Sequence, residues 1–185
     1  IFTQIRCRIE ATKHKCHNCI KLLTVVVRNL FKMLESQKES FSIRSETNHV
    51  SITIDEVYGF PETTFFMGGY DAVCQVEVLS HQFSANGLVY MSTAQFHEFY
   101  TQLKQTNQTL NGSARFGAYE NNFFTELTFD GLGHITIRGC YNNEGNELNF
   151  SFDTDQTFIV CTLNELSTIV EKYGDNLGNK KLRTT

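Results

Sequence analysis

Residues 123–152, FFTELTFDGLGHITIRGCYNNEGNELNFSF, alternate apolar and polar side chains in three short runs. Because side chains alternate between the two faces of a β-strand, each run predicts a strand with one apolar and one polar face. Turn residues separate the runs at 130–133 and 142–146, which favours tight connections between antiparallel strands. The stretch therefore predicts an antiparallel meander. Its apolar parity comprises Phe123, Leu127, Phe129, Ile135, Ile137, Tyr141, Leu148, Phe150 and Phe152.

Alternating residues also predict strands upstream of this meander. Four such strands begin near Phe41, Val50, Cys74 and Phe83. A turn is expected near Ser80 and His81. Asn86 and Gly87 then lie within the fourth strand as a bulge, or form the hairpin turn themselves. The longest irregular segment is 59–70, which holds the single proline of the chain.

Helical spacing occurs in two further segments. The first helix is expected to take Thr93 as its N-cap and to end at Gly112, before a strand over 113–119. The second helix ends at Gly174, and its apolar stripe comprises Ile159, Leu163, Leu166, Val170 and Tyr173. Each helix has one apolar stripe to bury. The predicted fold class is therefore α+β, an antiparallel meander sheet with two helices packed on one face, a two-layer sandwich.

Length and charge divide the 185-residue chain into three parts. Residues 33–174 are predicted to form a single domain, and the polar tail 175–185 to be disordered. Residues 1–32 hold seven Lys and Arg and one Glu. Residues 33–185 hold nine Lys and Arg and nineteen Asp and Glu. Met33 is the first methionine, and we expect residues 1–32 to lie outside the native domain. The alternative is a basic amphipathic arm that binds a membrane or nucleic acid.

The cysteines do not form a disulfide framework. Three of the six lie before residue 20, and the other three are scattered through the body. An odd number in a domain of this size predicts free thiols in a reducing compartment, the cytoplasm. Cys16 and Cys19 flank His17 and Asn18, but a structural zinc site pairs two such knuckles and the sequence has no second one. We therefore expect no metal and no cofactor.

The polar parity of the meander is the candidate functional surface. The sequence contains no nucleophile elbow, no HExxH and no paired-carboxylate motif, so binding is favoured over catalysis. Cross-strand neighbours lie about 5 Å apart, which predicts one patch. The patch comprises Glu126, His134, Arg138, Glu147, Asn149 and Asp153. A small hydrolase that uses His134, Glu126 or Asp153 is the alternative function, and a generic adaptor domain is another. An enzyme needs a concave pocket, whereas a binding protein needs only a broad patch.

The acidic body also restricts the class of partner. Its negative charge repels nucleic acid and favours a basic protein, such as a nucleic-acid-cleaving enzyme. The apolar run at 22–27 is too short to span a membrane. We therefore expect a protein partner, with no direct contact to nucleic acid or membrane.

Three blocks of the sequence resemble the WapI-type immunity proteins of bacteria. They are FHEFYTQL at 96–103, FDGLGHITI at 129–137 and FDTDQTF at 152–158. The second and third blocks are the more specific, and the similarity covers about residues 70–173. The resemblance implies a small cytosolic protein, encoded beside a contact-dependent toxin, that neutralises the toxin by binding it. It implies no catalytic residues.

A chain shortened to begin at Met33 should melt within a few degrees of the full chain, because residues 1–32 are predicted to lie outside the fold. Differential scanning calorimetry of the two forms measures this. Loss of the cooperative transition in the shortened chain would show that the basic segment packs on the domain.

Overall fold

The domain repeats one order of elements, four antiparallel strands followed by a helix. The computed structural model describes residues 38–179. The first half comprises β1 (Ser40–Arg44), β2 (His49–Tyr58), β3 (Asp71–Ser80), β4 (Phe83–Ser92) and helix α1 (Thr93–Thr109). The second comprises β5 (Asn111–Gly117), β6 (Phe123–Asp130), β7 (His134–Asn143), β8 (Asn146–Asp155) and helix α2 (Gln156–Tyr173).

The strands form two antiparallel sheets in which strand order follows chain order. Sheet 1 has the order β1-β2-β3-β4, and sheet 2 has the order β5-β6-β7-β8. The predicted α+β class with an antiparallel meander and two helices is confirmed. The structure adds that the strands divide between two sheets, with α1 between β4 and β5. Alternation within a strand carries no information on which strands pair across a helix.

Alternation does identify the buried face of each strand. The apolar parity predicted for residues 123–152 is buried, with Leu148 half-buried. The buried apolar residues of sheet 1 are Phe41, Ile43, Val50, Ile52, Ile54, Ala72, Cys74, Val76, Val78, Val89 and Met91. Both sets belong to one hydrophobic core. The two sheets therefore share their apolar sides and turn their other faces outward.

Four phenylalanines join the two halves of the domain. Phe41 lies on β1, Phe96 and Phe99 on α1, and Phe116 on β5. The centroid of the Phe116 ring lies 5.2 Å from that of Phe41, 5.1 Å from that of Phe96 and 5.2 Å from that of Phe99. Aromatic pairs at these separations are favourable beyond the area that they bury. This cluster fixes the first strand of sheet 2 against sheet 1 and α1.

Helix α2 covers the outer strand of sheet 1. The Thr162 hydroxyl donates to the Ser42 carbonyl at 2.7 Å, and the Ser42 N–H donates to the Glu165 carboxylate at 2.8 Å. Glu165 also pairs with Arg44 of β1, at 3.2 Å. An edge strand exposes backbone groups that attract another strand. Helix α2 lies along the free edge of β1, where another strand would otherwise pair.

The N-cap of α1 is Ser92 and not Thr93 as predicted. The Ser92 hydroxyl accepts the Ala94 N–H at 3.1 Å, and the Gln95 side chain accepts the Ser92 N–H at 2.8 Å. This reciprocal pair is a capping box. The Thr93 hydroxyl instead accepts the N–H of Tyr70, at 2.8 Å. Two adjacent hydroxyl residues offered the same local signal, and only the tertiary contact of Thr93 separates them.

The predicted end of α1 at Gly112 was also wrong. The helix ends at Thr109, and Leu110 is the C-cap in the left-handed conformation, at φ 55°. Gly112 lies in β5, which covers 111–117 in place of the predicted 113–119. A leucine in the left-handed region is uncommon, so composition alone favoured the glycine.

Asn86 and Gly87 form neither of the two predicted features. They lie within β4 in regular register with β3, and the hairpin turn follows Ser80 as expected. A Cβ added to Gly87 would stand 2.1 Å from the hydroxyl oxygen of Tyr141 on β7. Gly87 therefore serves the close approach of the two sheets, a long-range contact that local sequence does not record.

The start of the polar tail contacts the domain. The Asn176 carbonyl accepts the Gly69 N–H at 2.7 Å, and its side-chain oxygen lies 2.6 Å from Nδ1 of His97. The predictions for residues 1–32, including Cys16 and Cys19, for Met33 and for 180–185 lie outside the described residues.

The thiols of the body are free, as predicted. Cys74 is buried, Cys140 is half-buried and Cys161 is exposed. Burial raises the pKa of both Cys74 and Cys140. These two side chains therefore remain neutral thiols, and they behave as small apolar groups.

Phe150→Ala should lower the free energy of unfolding by about 3–5 kcal/mol, whereas Ser151→Ala should change it by less than about 0.5 kcal/mol. Phe150 is 5% exposed, and its ring packs on Gly139, while Ser151 lies on the outward face. Urea denaturation of the two variants measures both values. Equal effects would contradict the assignment of faces in β8.

Candidate partner-binding surfaces

The six residues of the predicted patch all lie on the outward face of sheet 2, hereafter the polar face. Glu126 stands opposite Arg138, and Asp153 stands opposite Thr136. Asn149 and Glu147 lie on the same face of β8, and His134 lies at the start of β7. Glu126 is half-buried and the other five are exposed. The structure therefore places all six side chains on one face, and their role in binding stays a prediction.

Charge is unevenly distributed over the polar face. Arg115, Glu126 and Arg138 form one alternating row across β5, β6 and β7. The Arg115 guanidinium also lies 4.6 Å from the ring centroid of Phe124. Strand β8 presents the carboxylates Glu147, Asp153 and Asp155 and carries no Lys or Arg. The β8 side of the polar face is therefore the side suited to a basic partner.

A groove of about 470 Å³ runs beside β8. The carboxylates Glu46, Asp153 and Asp155 line it, together with His81 and the turn at 45–48, and none of its lining residues is Lys or Arg. Glu126 and His134 do not line it. An acid–base site requires its side chains to converge in one pocket. The three side chains of the alternative hydrolase do not converge in this groove.

A second surface, which the sequence analysis missed, lies on the outward face of sheet 1. We name it the aromatic surface. It comprises Tyr58, Val73, Leu88 and Tyr90 of the sheet, Phe65, Phe66 and Met67 of segment 59–70, and Tyr119. One signal in the sequence pointed to it. Residues 45–103, which contain β2, β3 and β4, hold seven Asp and Glu and no Lys or Arg.

Two tyrosines of the aromatic surface donate to carboxylates. The Tyr119 hydroxyl donates to Asp71 at 3.0 Å, and that of Tyr58 donates to Glu56 at 2.9 Å. Burial and the bond to Asp71 together raise the pKa of Tyr119 to about 12. The bond to Glu56 raises the pKa of Tyr58. In both pairs the carboxylate stabilises the protonated phenol.

Two further features of the described residues bear on function. Within 38–179, no group of three or more His, Cys, Asp or Glu side chains is placed to hold a metal ion. Neither α1 nor α2 is long and apolar enough to cross a membrane.

Residues 41–174 match the model of the immunity protein WapI-like family. The match spans β1 to the end of α2. The chain belongs to the WapI-like immunity protein family. Membership indicates a role in neutralising a toxin, and immunity proteins are in general not enzymes. A search of curated protein sequences returned no match.

Comparison with solved structures found weak likenesses, among them likenesses to three plant proteins. The plant transcriptional regulator PBF-2 shares 10% identity at a TM-score of 0.38, over 73% of this chain and 81% of that chain. WHY1 from Arabidopsis thaliana shares 9% identity at a TM-score of 0.39, over 73% of this chain and 84% of that chain. WHY3 from the same plant shares 9% identity at a TM-score of 0.36, over 72% of this chain and 86% of that chain. A likeness of this strength supports no statement about the function of the WapI-like protein.

The two more specific WapI-like blocks meet in the structure and hold it together. Asp130 accepts the N–H groups of Leu132 and His134 at 2.7 and 3.1 Å. Asp155 is the N-cap of α2 and accepts the Thr157 N–H at 2.8 Å. His134 stands opposite Asp155 in the sheet. These blocks therefore join the β6–β7 turn to the start of α2.

Electrostatics at this junction agree with a structural role. The bond from the Leu132 N–H lowers the pKa of Asp130, and the bonds from Thr157 lower that of Asp155. Both carboxylates are therefore held in the charged state that accepts those bonds. Their geometry accounts for the motifs without catalysis.

In the WapI-like protein, the phenol of Tyr119 should ionise near pH 12, and Asp71→Asn should lower that pKa. Because the folded pKa lies above the ordinary value of 10, this group contributes stability below pH 10 that is lost as pH rises towards 12. The difference in absorbance at 295 nm between the wild type and Tyr119→Phe, followed during an alkaline titration, isolates this phenol. Ionisation near pH 10 would contradict the burial and the bond.

Proposed function

We propose that the chain is a cytosolic immunity protein that binds a cognate toxin domain and neutralises it by protein–protein contact. The observation that carries this proposal is the family match over residues 41–174. The free thiols Cys74, Cys140 and Cys161 fit a reducing compartment. On this proposal the toxin belongs to a contact-dependent inhibition system, and the chain protects the cell that makes it.

The charge of the chain specifies the kind of toxin domain proposed. Residues 33–185 carry nineteen Asp and Glu against nine Lys and Arg. A protein that cleaves nucleic acid presents a basic surface to the phosphate backbone. An acidic antidote is complementary to that surface, and its charge speeds the encounter. We therefore propose a basic nuclease as the partner, without direct contact between the chain and nucleic acid.

The polar face is the first proposed contact surface. Its six predicted residues lie on three hydrogen-bonded strands, so the side chains project from a rigid support. Neutralisation by steric blocking needs a broad patch and no converging catalytic groups. The face supplies such a patch, with its carboxylates gathered along β8.

Reversal of Glu126, Glu147 and Asp153 to Lys should slow association with the toxin domain roughly tenfold at low salt and remove protection in co-expression assays. The three carboxylates lie on the polar face, and the reversal replaces attraction by repulsion. Surface plasmon resonance over a range of salt concentrations measures the rate.

The neutral variant Glu126→Gln, Glu147→Gln, Asp153→Asn is the matched control. Its association rate should lie between those of the wild type and the Lys variant. Circular dichroism checks the fold of both variants. Full protection by the folded Lys variant would remove the polar face from the contact, while leaving the immunity function itself in place.

A further inference from the structure

A bulge in β2 creates the centre of the aromatic surface. Residues 50, 52 and 54 of β2 face the core, so an uninterrupted strand would turn Tyr58 inward as well. The register with β3 shifts between Ile54 and Glu56, which leaves Asp55 as the extra residue. Beyond the bulge Val57 packs against the core, whereas Tyr58 is 46% exposed. Bulges that redirect a side chain in this way are common beside functional sites.

Apolar side chains of neighbouring strands continue the surface. Tyr90 of β4 stands opposite Val73 of β3, which in turn stands opposite Glu56 of β2. Leu88 precedes Tyr90 by two residues on β4 and therefore lies on the same face. Leu88 is 52% exposed and Tyr90 is 42% exposed. A single exposed apolar residue needs no explanation, but a contiguous group with two tyrosines is typical of a protein-binding surface.

Segment 59–70 extends the same surface away from the sheet. Phe66 is 88% exposed, and its ring centroid lies 4.5 Å from that of Phe65, which lies 5.6 Å from that of Tyr119. Tyr119 in turn donates to Asp71 at the start of β3. The ring contacts therefore connect the segment to the sheet through Tyr119.

The backbone of this segment is fixed on several sides. The Phe65 N–H donates to the Gly69 carbonyl, and the Gly69 N–H donates to Asn176, both at 2.7 Å. The Ser92 hydroxyl also donates to the Gly68 carbonyl. A segment held in this way loses little conformational entropy when a partner binds. The segment that carries Phe66 and Met67 is therefore preorganised for binding.

Charge indicates what covers this surface. Asp55, Glu56, Glu62 and Asp71 lie in or beside it, and residues 45–103 contain no Lys or Arg. A second copy would bring the same carboxylates against these, which is unfavourable. A Lys or Arg of another protein would meet both the carboxylates and the faces of tyrosine rings, and cations bind both.

We infer that the aromatic surface is a docking site for a basic protein surface, with Phe66, Leu88 and Tyr90 as apolar anchors and Glu56 as a charged contact. This inference rests on the proposed function, which makes the toxin domain the basic partner. Buried aromatic anchors mainly set the dissociation rate, whereas charges at the rim mainly set the association rate.

Binding of the full chain to a cognate toxin domain tests the inference. The probe is the C-terminal domain of a large secreted protein, if the adjacent upstream gene encodes one. Phe66→Ala combined with Tyr90→Ala should weaken binding about tenfold or more, mainly through faster dissociation. Glu56→Lys should slow association, and more so at low salt. Biolayer interferometry gives both rates, and thermal melting checks each fold.

Two exposed apolar residues outside the surface provide matched controls. Leu132 is 83% exposed on the β6–β7 turn, and Phe83 is 68% exposed at the β3–β4 hairpin. Phe83 lies about 23 Å along β4 from Tyr90, at roughly 3.3 Å per residue. Leu132→Ala and Phe83→Ala should each leave the dissociation constant within about twofold of the wild type, since neither touches the proposed site.

The outcomes separate the two proposals. No binding by the unchanged chain would overturn the proposed function, and the inference with it. Binding that survives the Phe66 and Tyr90 changes would overturn only the inference. A dimer in light scattering that Leu88→Lys dissociates, with toxin binding unchanged, would assign the surface to a second copy and would also overturn it.

Discussion

Each four-stranded sheet of this protein has one apolar face, and that face has to be covered. A single antiparallel sheet of four strands cannot cover itself. The chain meets the constraint by making two such sheets and placing both apolar faces in one core. The contact that joins them is the cluster of Phe41, Phe96, Phe99 and Phe116, in which one ring of sheet 2 touches rings from sheet 1 and α1. The outward faces of the two sheets are not needed for this core.

The location of the family motifs follows from this arrangement. The second half must end with α2 on the edge strand β1 of sheet 1, so the junction between β8 and α2 has to be placed accurately. Asp130 orders the turn beside it, and Asp155 caps the helix. Both of the more specific blocks therefore contain residues that hold the fold. Two of the proposed contact residues, His134 and Asp153, belong to the same blocks and lie on the outward face of the sheet.

The sequence predicted what depends on local periodicity. The parity of β6, β7 and β8 followed from alternation, and so did the shared face of Glu126, Arg138 and Asp153. Long-range contacts were beyond it. Gly87 was expected to form a bulge or a turn, because nothing near it in sequence reports the approach of Tyr141. Thr93 looked like the cap, because its contact with Tyr70 joins residues 23 positions apart.

The bulge at Asp55 has a consequence for how such a protein changes over time. Substitution alters what a position presents, whereas a change of one residue in the length of β2 alters which positions are presented at all. Loss of the extra residue would exchange Val57 and Tyr58 between core and solvent in one step. Insertions and deletions within this strand therefore change which side chains face outward, which substitutions cannot do, and the rest of the sheet keeps its register.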